Sequence, residues 1–263
     1  MRPVTTPSTA EAEAENAPSA RLSRPAHVAE EIKKLVVSRN MAPGDRLPGE
    51  QELMDHFGMA KGTIREAMRI LEAQGLVKTR TGPGGGSFVH AVSEERARAL
   101  LGNYFYFKNL TVANIYDIRI ALEPEVAASL AGKLDEDALA ALERNISRYA
   151  KPPASLEEDR AQHVASLDFH QMLAGHAGNA LLGFLIGFMA AMLSDLTVHR
   201  RLYEPRNYDL WRKGRDYQRD LVDALRRGDA AAARRIMSDH MHAARRLMVE
   251  QEAKMARRFP SGW

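Results

Sequence analysis

Lys61, Arg65 and Arg69 recur every fourth residue in the run KGTIREAMRILEAQ. In a helix that spacing gathers them into one basic stripe. Another side of the same helix carries Ile64, Ala67, Met68 and Leu71 at i, i+3, i+4 and i+7, a core-facing pattern. Arg and Lys so arranged can reach guanine edges or phosphates in a major groove, which at about 12 Å wide admits a helix. Further on, Gly82-Pro-Gly-Gly-Gly allows a tight loop whose backbone approaches a phosphate closely at Gly84, with Arg80 and Ser87 as further backbone contacts. A nucleotide-phosphate loop is excluded. No Gly-Lys-Ser/Thr follows, and Ser87-Phe-Val reads as a strand rather than a helix.

A basic stripe alone is also what a solvated helix face looks like, so its setting decides. Val28, Ile32, Leu35 and Val36 predict a helix over roughly Pro25 to Arg39, with Pro25 suited to its first turn. Met41-Ala-Pro-Gly-Asp ends it. A short helix starting near Gly49 and burying Leu53, Met54 and Phe57 follows, with Gly58 as its C-terminal cap. The basic helix starts near Lys61, and a hairpin runs from Val77 to Val89. Two helices across a tight turn, then a glycine-rich hairpin, is the order of a winged helix-turn-helix, whose partner is double-stranded DNA.

Composition sets wider bounds. The 263 residues suffice for two domains, and 45% are hydrophobic. The 37 Lys and Arg against 34 Asp and Glu give +3, too small an excess to mark a nucleic-acid binder. The absence of cysteine excludes disulfides, thiolate zinc fingers and thiol catalysis, and suits a reducing cytoplasm. Residues 1–20 lack an apolar segment and read as a flexible tail rather than a secretory signal. The run Ala180 to Leu193 is shorter than a membrane span needs, so a fully buried bundle helix is expected and no membrane partner.

From Glu94 onward helical patterns dominate. Breaks near Lys108-Asn109, Gly132-Lys133, Lys151-Pro-Pro, Ala177-Gly-Asn, Glu204-Pro and Gly228-Asp predict six or seven helices in an antiparallel bundle. The expected fold is mainly α, with a DNA-binding module over residues 21–91 and an all-α domain over 94–257. Arg119 and Glu123 stand at i, i+4, the spacing of an intrahelical ion pair. The basic segment from His199 to Arg219 reads as a solvated loop and helix end, with contact to DNA or an anion as the rival reading.

The ordered runs Gly44-Asp-Arg-Leu-Pro, Glu50 with Leu53, Thr63-Ile-Arg-Glu-Ala, Gly75-Leu-Val and Gly82 to Val89 resemble the GntR family of bacterial regulators. The later runs Ile115 to Glu123, Phe169-His170 to Gly178-Asn179, and Asp223 to Ala230 with Ala232 and His240 resemble the FCD effector domain of its FadR subfamily. The resemblance adds Arg46, Gln51 and Thr63 to the DNA-facing residues. Ala60-Lys61 stands where the family often has Ser-Arg, and Gln51 where it usually has Arg, so the family's base preference does not carry over.

The resemblance further implies a homodimer reading a pseudo-palindromic operator. A small organic acid would be its effector, most often relieving repression. It gives Arg119 a second reading, as a clamp for a carboxylate. Many relatives hold a divalent metal such as Zn or Ni through one Asp and three His. Here His170 and His240 match two ligands, while Ser166 and Gln218 stand at the other two. His170 and His240 therefore have three readings: direct effector contacts with Arg119, Ser166 and Gln218, a weak or supplemented metal site, or satisfied core histidines. Asp168 and His242 point elsewhere by helix geometry, and His163 lies about two turns from His170. The alternatives to a ligand-controlled regulator are a histidine- or metal-dependent enzyme and a ligand-free architectural dimer. Against the enzyme, no nucleophile–base pair, full metal set or cofactor loop is legible.

Overall fold

A computed structural model describes residues 22–258, and the tail expected at residues 1–20 lies outside them. Ten helices and two strands are present among the described residues, and the chain divides into two compact units between Ala97 and Arg98.

The first unit starts with α1 (Arg24–Ser38), where Ser23 caps the amide of Ala26 and a proline lies in the first turn. Helices α2 (Glu50–Phe57) and α3 (Lys61–Gln74) follow, each ended by a left-handed glycine, Gly58 at φ 63° and Gly75 at φ 79°. Val28, Ala29 and Ile32 of α1 pack with Leu53 of α2 and with Ile64, Ala67 and Leu71 of α3 in one apolar core. Met54, Phe57 and Met68 are only half-buried, at the edge of that core.

Strands β1 (Val77–Arg80) and β2 (Gly86–Val89) pair antiparallel from Val77 opposite Val89 to Arg80 opposite Gly86. A third extended segment, not foreseen in the sequence, lies along β2. Leu47 donates to the Ser87 carbonyl and Gly44 to the Val89 carbonyl, each at 2.8 Å. The Gly44-Asp-Arg-Leu run is thus a ladder partner that holds the wing against the helices. At the wing tip, a Cβ on Gly85 would lie 2.6 Å from the Arg80 carbonyl oxygen and 2.7 Å from that of Gly82. Both obstacles are backbone, so Gly85→Ala must open the turn. We expect a loss of about 1–3 kcal/mol in a thermal melt of the first unit, and an unchanged melt would overturn this account of the wing.

The second unit contains the rest of α4 (Glu94–Tyr106) and six further helices: α5 (Val112–Leu130), α6 (Glu136–Ser147), α7 (Leu156–Gly175), α8 (Ala180–His199), α9 (Tyr208–Arg226) and α10 (Ala230–Arg258). The breaks fall where Gly, Pro and Asn clusters put them. Each start from α5 to α9 has a polar cap: Thr111, Asp135, Ser155, Asn179 and Asn207 each accept from an amide of the first turn. α10 packs along α5 and α9, and α7 packs on α6 and α8.

Helix α8 corrects an expectation. It runs on past Asp195 to His199, 20 residues, and only 39% of its apolar window is buried. By length and composition it could cross a bilayer. Instead Ile186, Met189 and Leu193 face the common core, while Leu181 is 66% exposed. Being apolar all round does not make the helix buried all round; the bundle covers only its inner face.

Candidate DNA interface and effector cavity

In the first unit the basic stripe is exposed as expected. The side chains of Lys61, Arg65 and Arg69 are 59%, 58% and 74% accessible. Ala60 stands at the N-cap of α3 without a side-chain cap, as its methyl group requires. Glu50, which opens α2, ties the stripe together. Its Oε2 accepts from Arg65 Nε at 3.0 Å, and its Oε1 lies 3.3 Å from Lys61 Nζ. The Arg65 hydrogen bond leads in holding the Glu50 carboxyl below its ordinary range, against partial desolvation. Only Nε of Arg65 is engaged, which leaves the two terminal nitrogens of its fork without a hydrogen bond on a side chain that is 58% accessible.

The remaining residues with an expected DNA role have distinct local ties. Gln51 donates to Asp55 at 2.9 Å along α2. Arg69 donates to Glu66 at 3.1 Å. Thr63 is half-buried in the first turn of α3. Arg80 lies over the Phe88 ring at 4.9 Å, and Ser87 Oγ is 3.5 Å from Thr79 Oγ1. Gly84 is exposed at φ 75°. Arg46 donates to the Gly85 carbonyl at 2.7 Å across Gly86, which makes it a brace of the wing.

In the second unit, α5, α7, α9, α10 and the α8–α9 loop enclose a cavity of about 50 Å3, lined by Arg119, Asp159, Gln162, His163, Ser166, His170, Gln218 and His240 among others. That is room for a few waters. Arg119 and Glu123 do form the pair their spacing suggests, Nε to Oε1 at 2.5 Å, but both side chains are at most 2% exposed. The small value of a surface pair therefore does not apply. Burial resists the ionisation of Glu123, yet Arg119 first and His170 next hold its carboxyl down at about 2.

Glu123 was legible only as Arg119's partner; the fold makes it the hub. His170 Nδ1 lies 2.5 Å from Glu123 Oε2. The protons in this network can be placed from Gln218. Its Oε1 accepts from the Tyr149 hydroxyl at 2.7 Å, and its Nε2 donates to the Ser166 carbonyl at 3.0 Å. The amide is thereby oriented, and its Nε2 also donates to His170 Nε2 at 3.2 Å. His170 is then the acceptor at Nε2 and carries its proton on Nδ1, donating to Glu123. His240 Nε2 lies 3.2 Å from the same atom, whose single lone pair faces both it and Gln218. Ser166 Oγ donates back to the His163 carbonyl at 2.8 Å and presents no free hydroxyl proton to the cavity. Asp168 pairs with Arg148 at 3.2 Å, and His242 is exposed beside Ser238, both away from the cavity. No group of three or more His, Cys, Asp or Glu that could hold a metal occurs among the described residues.

The buried imidazoles are kept neutral. Burial pushes His163 down to about 4, with Arg119 adding to it. Burial also lowers His170, against the upward pull of Glu123, and His240 further still. A histidine whose folded pKa lies below its unfolded value supports the fold above about 6.5, and that support is lost as pH falls toward the folded value. Asp159 acts oppositely. Burial raises its carboxyl to about 6 against the pull of Arg206, so acidification relieves it. Three imidazoles outweigh one carboxyl, so the second unit's melting temperature should fall between pH 6.5 and 4. His163 alone corresponds to roughly 3 kcal/mol of that loss. A melt that stays flat or rises over this range would contradict the neutral network.

Several arginines of the basic segment His199 to Arg219 have structural ties. Arg200 donates to Glu252 and to the Leu110 carbonyl, Arg206 to the Ala154 carbonyl, and Arg215 to the Ala150 carbonyl while lying over Trp211.

A winged helix-turn-helix followed by a helical bundle enclosing a charged cavity is the build of a ligand-responsive transcription regulator. Residues 25–89 match the description "Bacterial regulatory proteins, gntR family", and residues 114–243 match the FCD domain. The chain is 26% identical over 238 residues to the HTH-type transcriptional repressor NanR of Escherichia coli, covering 86% of this chain and 84% of that protein. It is 25% identical over 230 residues to NanR of Edwardsiella tarda, with 82% of each chain covered. A solved structure titled "Streptococcus agalactiae GntR" shares the fold at a TM-score of 0.59 and 23% identity, over 84% of this chain and 99% of that one. The chain belongs to the GntR family of bacterial transcription regulators and carries an FCD effector-binding domain. The enzyme alternative is set aside, because its relatives are transcriptional repressors.

Proposed function

We propose that this regulator is a cytoplasmic, homodimeric repressor released from a pseudo-palindromic operator by a small organic anion bound in the FCD cavity. The observation that carries the effector class is Arg119 Nη2, a buried donor with no hydrogen-bond partner on a guanidinium that lines the cavity. A carboxylate offers the acceptors that this nitrogen lacks. Repression is inferred from the NanR relatives, which are transcriptional repressors. A dimer is supported by the exposed apolar side of α8, and by Tyr104, Tyr106 and Phe107, 58%, 79% and 81% exposed around the end of α4. Two copies of α3 and the wing would read half-sites related by the dimer axis. Lys61, Thr63, Arg65 and Arg69 would face the groove. Arg80, Gly84 and Ser87 would follow the backbone, with Arg46 and Gln51 at the margin.

The direct effector contact in this reading is Arg119, whose Nη2 is unpaired, while His170, Gln218 and His240, with Ser166 through its carbonyl bond to Gln218, form the wall of the site. The residues do not fit the family's divalent metal. The His170 Nε2 lone pair that would bind Zn or Ni already accepts from Gln218, which presents an N–H where a ligand would present a lone pair.

Thermal shift of the full chain tests both parts. A small carboxylate should raise the melting temperature by mass action, while Zn, Ni or a chelator should leave it unchanged. Stabilisation by metal alone would overturn the metal-free reading. No response to any organic anion would favour the ligand-free architectural dimer. Selection of bound DNA from a random pool, with and without the stabilising anion, would then give the operator and the sign of control.

A further inference from the structure

The cavity is unmatched at more than Arg119. Gln162 Oε1 is a buried acceptor without a hydrogen-bond partner. Asp159 lines the same cavity at 8% exposure, and its carboxylate accepts no hydrogen bond among the described residues. Arg206, whose charge pulls the Asp159 carboxyl down, donates to the Ala154 and Pro153 carbonyls instead. Asp159 and Gln162 both lie on the first turns of α7, while Arg119 belongs to α5. Folded proteins leave few buried polar groups unpaired, so a lone buried donor and a lone buried acceptor, with a carboxylate that accepts no hydrogen bond beside them, point to an occupant.

We propose that the effector is a small zwitterion whose carboxylate meets Arg119 and whose protonated amine meets Asp159 and Gln162 Oε1. This rests on the reading of the cavity as the effector site and names the class of its ligand. A hydroxyl offers one proton, which two acceptors would have to share; an ammonium offers three donors and asks for no donor in return. One acceptor is a carboxylate, which favours a cation over a neutral donor. The free space of about 50 Å3 limits the ligand to few atoms, which displace the waters that would otherwise fill it. Burial holding the Asp159 carboxyl up near 6 is consistent with a site completed by a positive charge.

The test uses matched compounds on the full chain, read by thermal shift at neutral pH. Alanine, β-alanine and γ-aminobutyrate are compared with propionate and butyrate, which lack the amine, and with propylamine, which lacks the carboxylate. At least one zwitterion should bind about tenfold to a hundredfold more tightly than its deaminated counterpart. Asp159→Asn should abolish that preference and retain carboxylate binding. This variant should fold, since the site already disfavours the charged form of Asp159. Gln162→Leu, which leaves all charges in place, should reduce the preference in part. Equal stabilisation by acids with and without an amine overturns the zwitterion and leaves the organic-anion reading standing. Stabilisation by propylamine but by no acid overturns the organic-anion reading at Arg119. No shift with any of these compounds means that waters satisfy the three groups, and the zwitterion is overturned.

Discussion

Arg119→Met lowers the stability of the second unit by about 3–5 kcal/mol, because it leaves the Glu123 carboxylate buried without its main counter-charge. The guanidinium is the chief attraction opposing the burial of Glu123, whose carboxyl sits at about 2. Without it, burial drives Glu123 to take up a proton, and the hydrogen bond from His170 Nδ1 weakens from the charge-assisted to the neutral kind. Adding Glu123→Gln should recover more than half of the loss, since the amide oxygen still accepts from His170 and no charge remains unpaired. Both variants should lose response to organic anions, because both lack the Nη2 donor. Denaturant melts of the single and double variants check this. A single-variant loss below about 1 kcal/mol would mean that the pair is solvated in solution.

Arg65→Ala is the second large effect. If the fork reads a base, cognate affinity drops by about 1–3 kcal/mol and preference relaxes at one position. If it meets a phosphate, affinity falls evenly across sequences and the salt slope shrinks by about 0.9. Unchanged affinity for every DNA would remove α3 from the groove. The structure adds a companion variant. Glu50 holds Arg65 through Nε and stands beside Lys61, so Glu50→Gln frees both cations. Nonspecific affinity should then rise while the ratio of specific to nonspecific binding falls. A ratio that stays constant would mean that Glu50 does not orient Arg65.

The two regions were legible to different degrees for a physical reason. Period and punctuation are local, so the i, i+3, i+4, i+7 pattern of α3, the capping glycines and the hairpin could be placed from neighbouring residues. The third ladder segment at Gly44 to Leu47 could not. Its partner is some forty residues away, and four residues carry no usable period. The polar caps from Thr111 to Asn207 were there to be read, and would have sharpened the helix starts.

In the bundle, the i, i+4 spacing of Arg119 and Glu123 gave an ion pair but not its burial, which depends on α7, α9 and α10 closing over α5. Glu123's contact with His170 spans 47 positions, and the contact of His170 with His240 spans 70. No local pattern encodes such distances. Asp159 and Gln162 carried no signal of a site either; on the sequence they are two polar residues at the start of a helix.

By itself the sequence determined the class of protein and the order of its elements, because residue identity and short-range spacing suffice for both. The tertiary structure decided that Glu50 bridges Lys61 and Arg65 and that Arg46 braces the wing. It also decided that Glu123, His170, Gln218 and His240 meet in one buried network, and that Arg119 Nη2 and Gln162 Oε1 beside one cavity stay unpaired. Those facts arise from side chains far apart in the chain meeting where water is excluded, and there hydrogen bonding and burial, rather than spacing, set what each group can do.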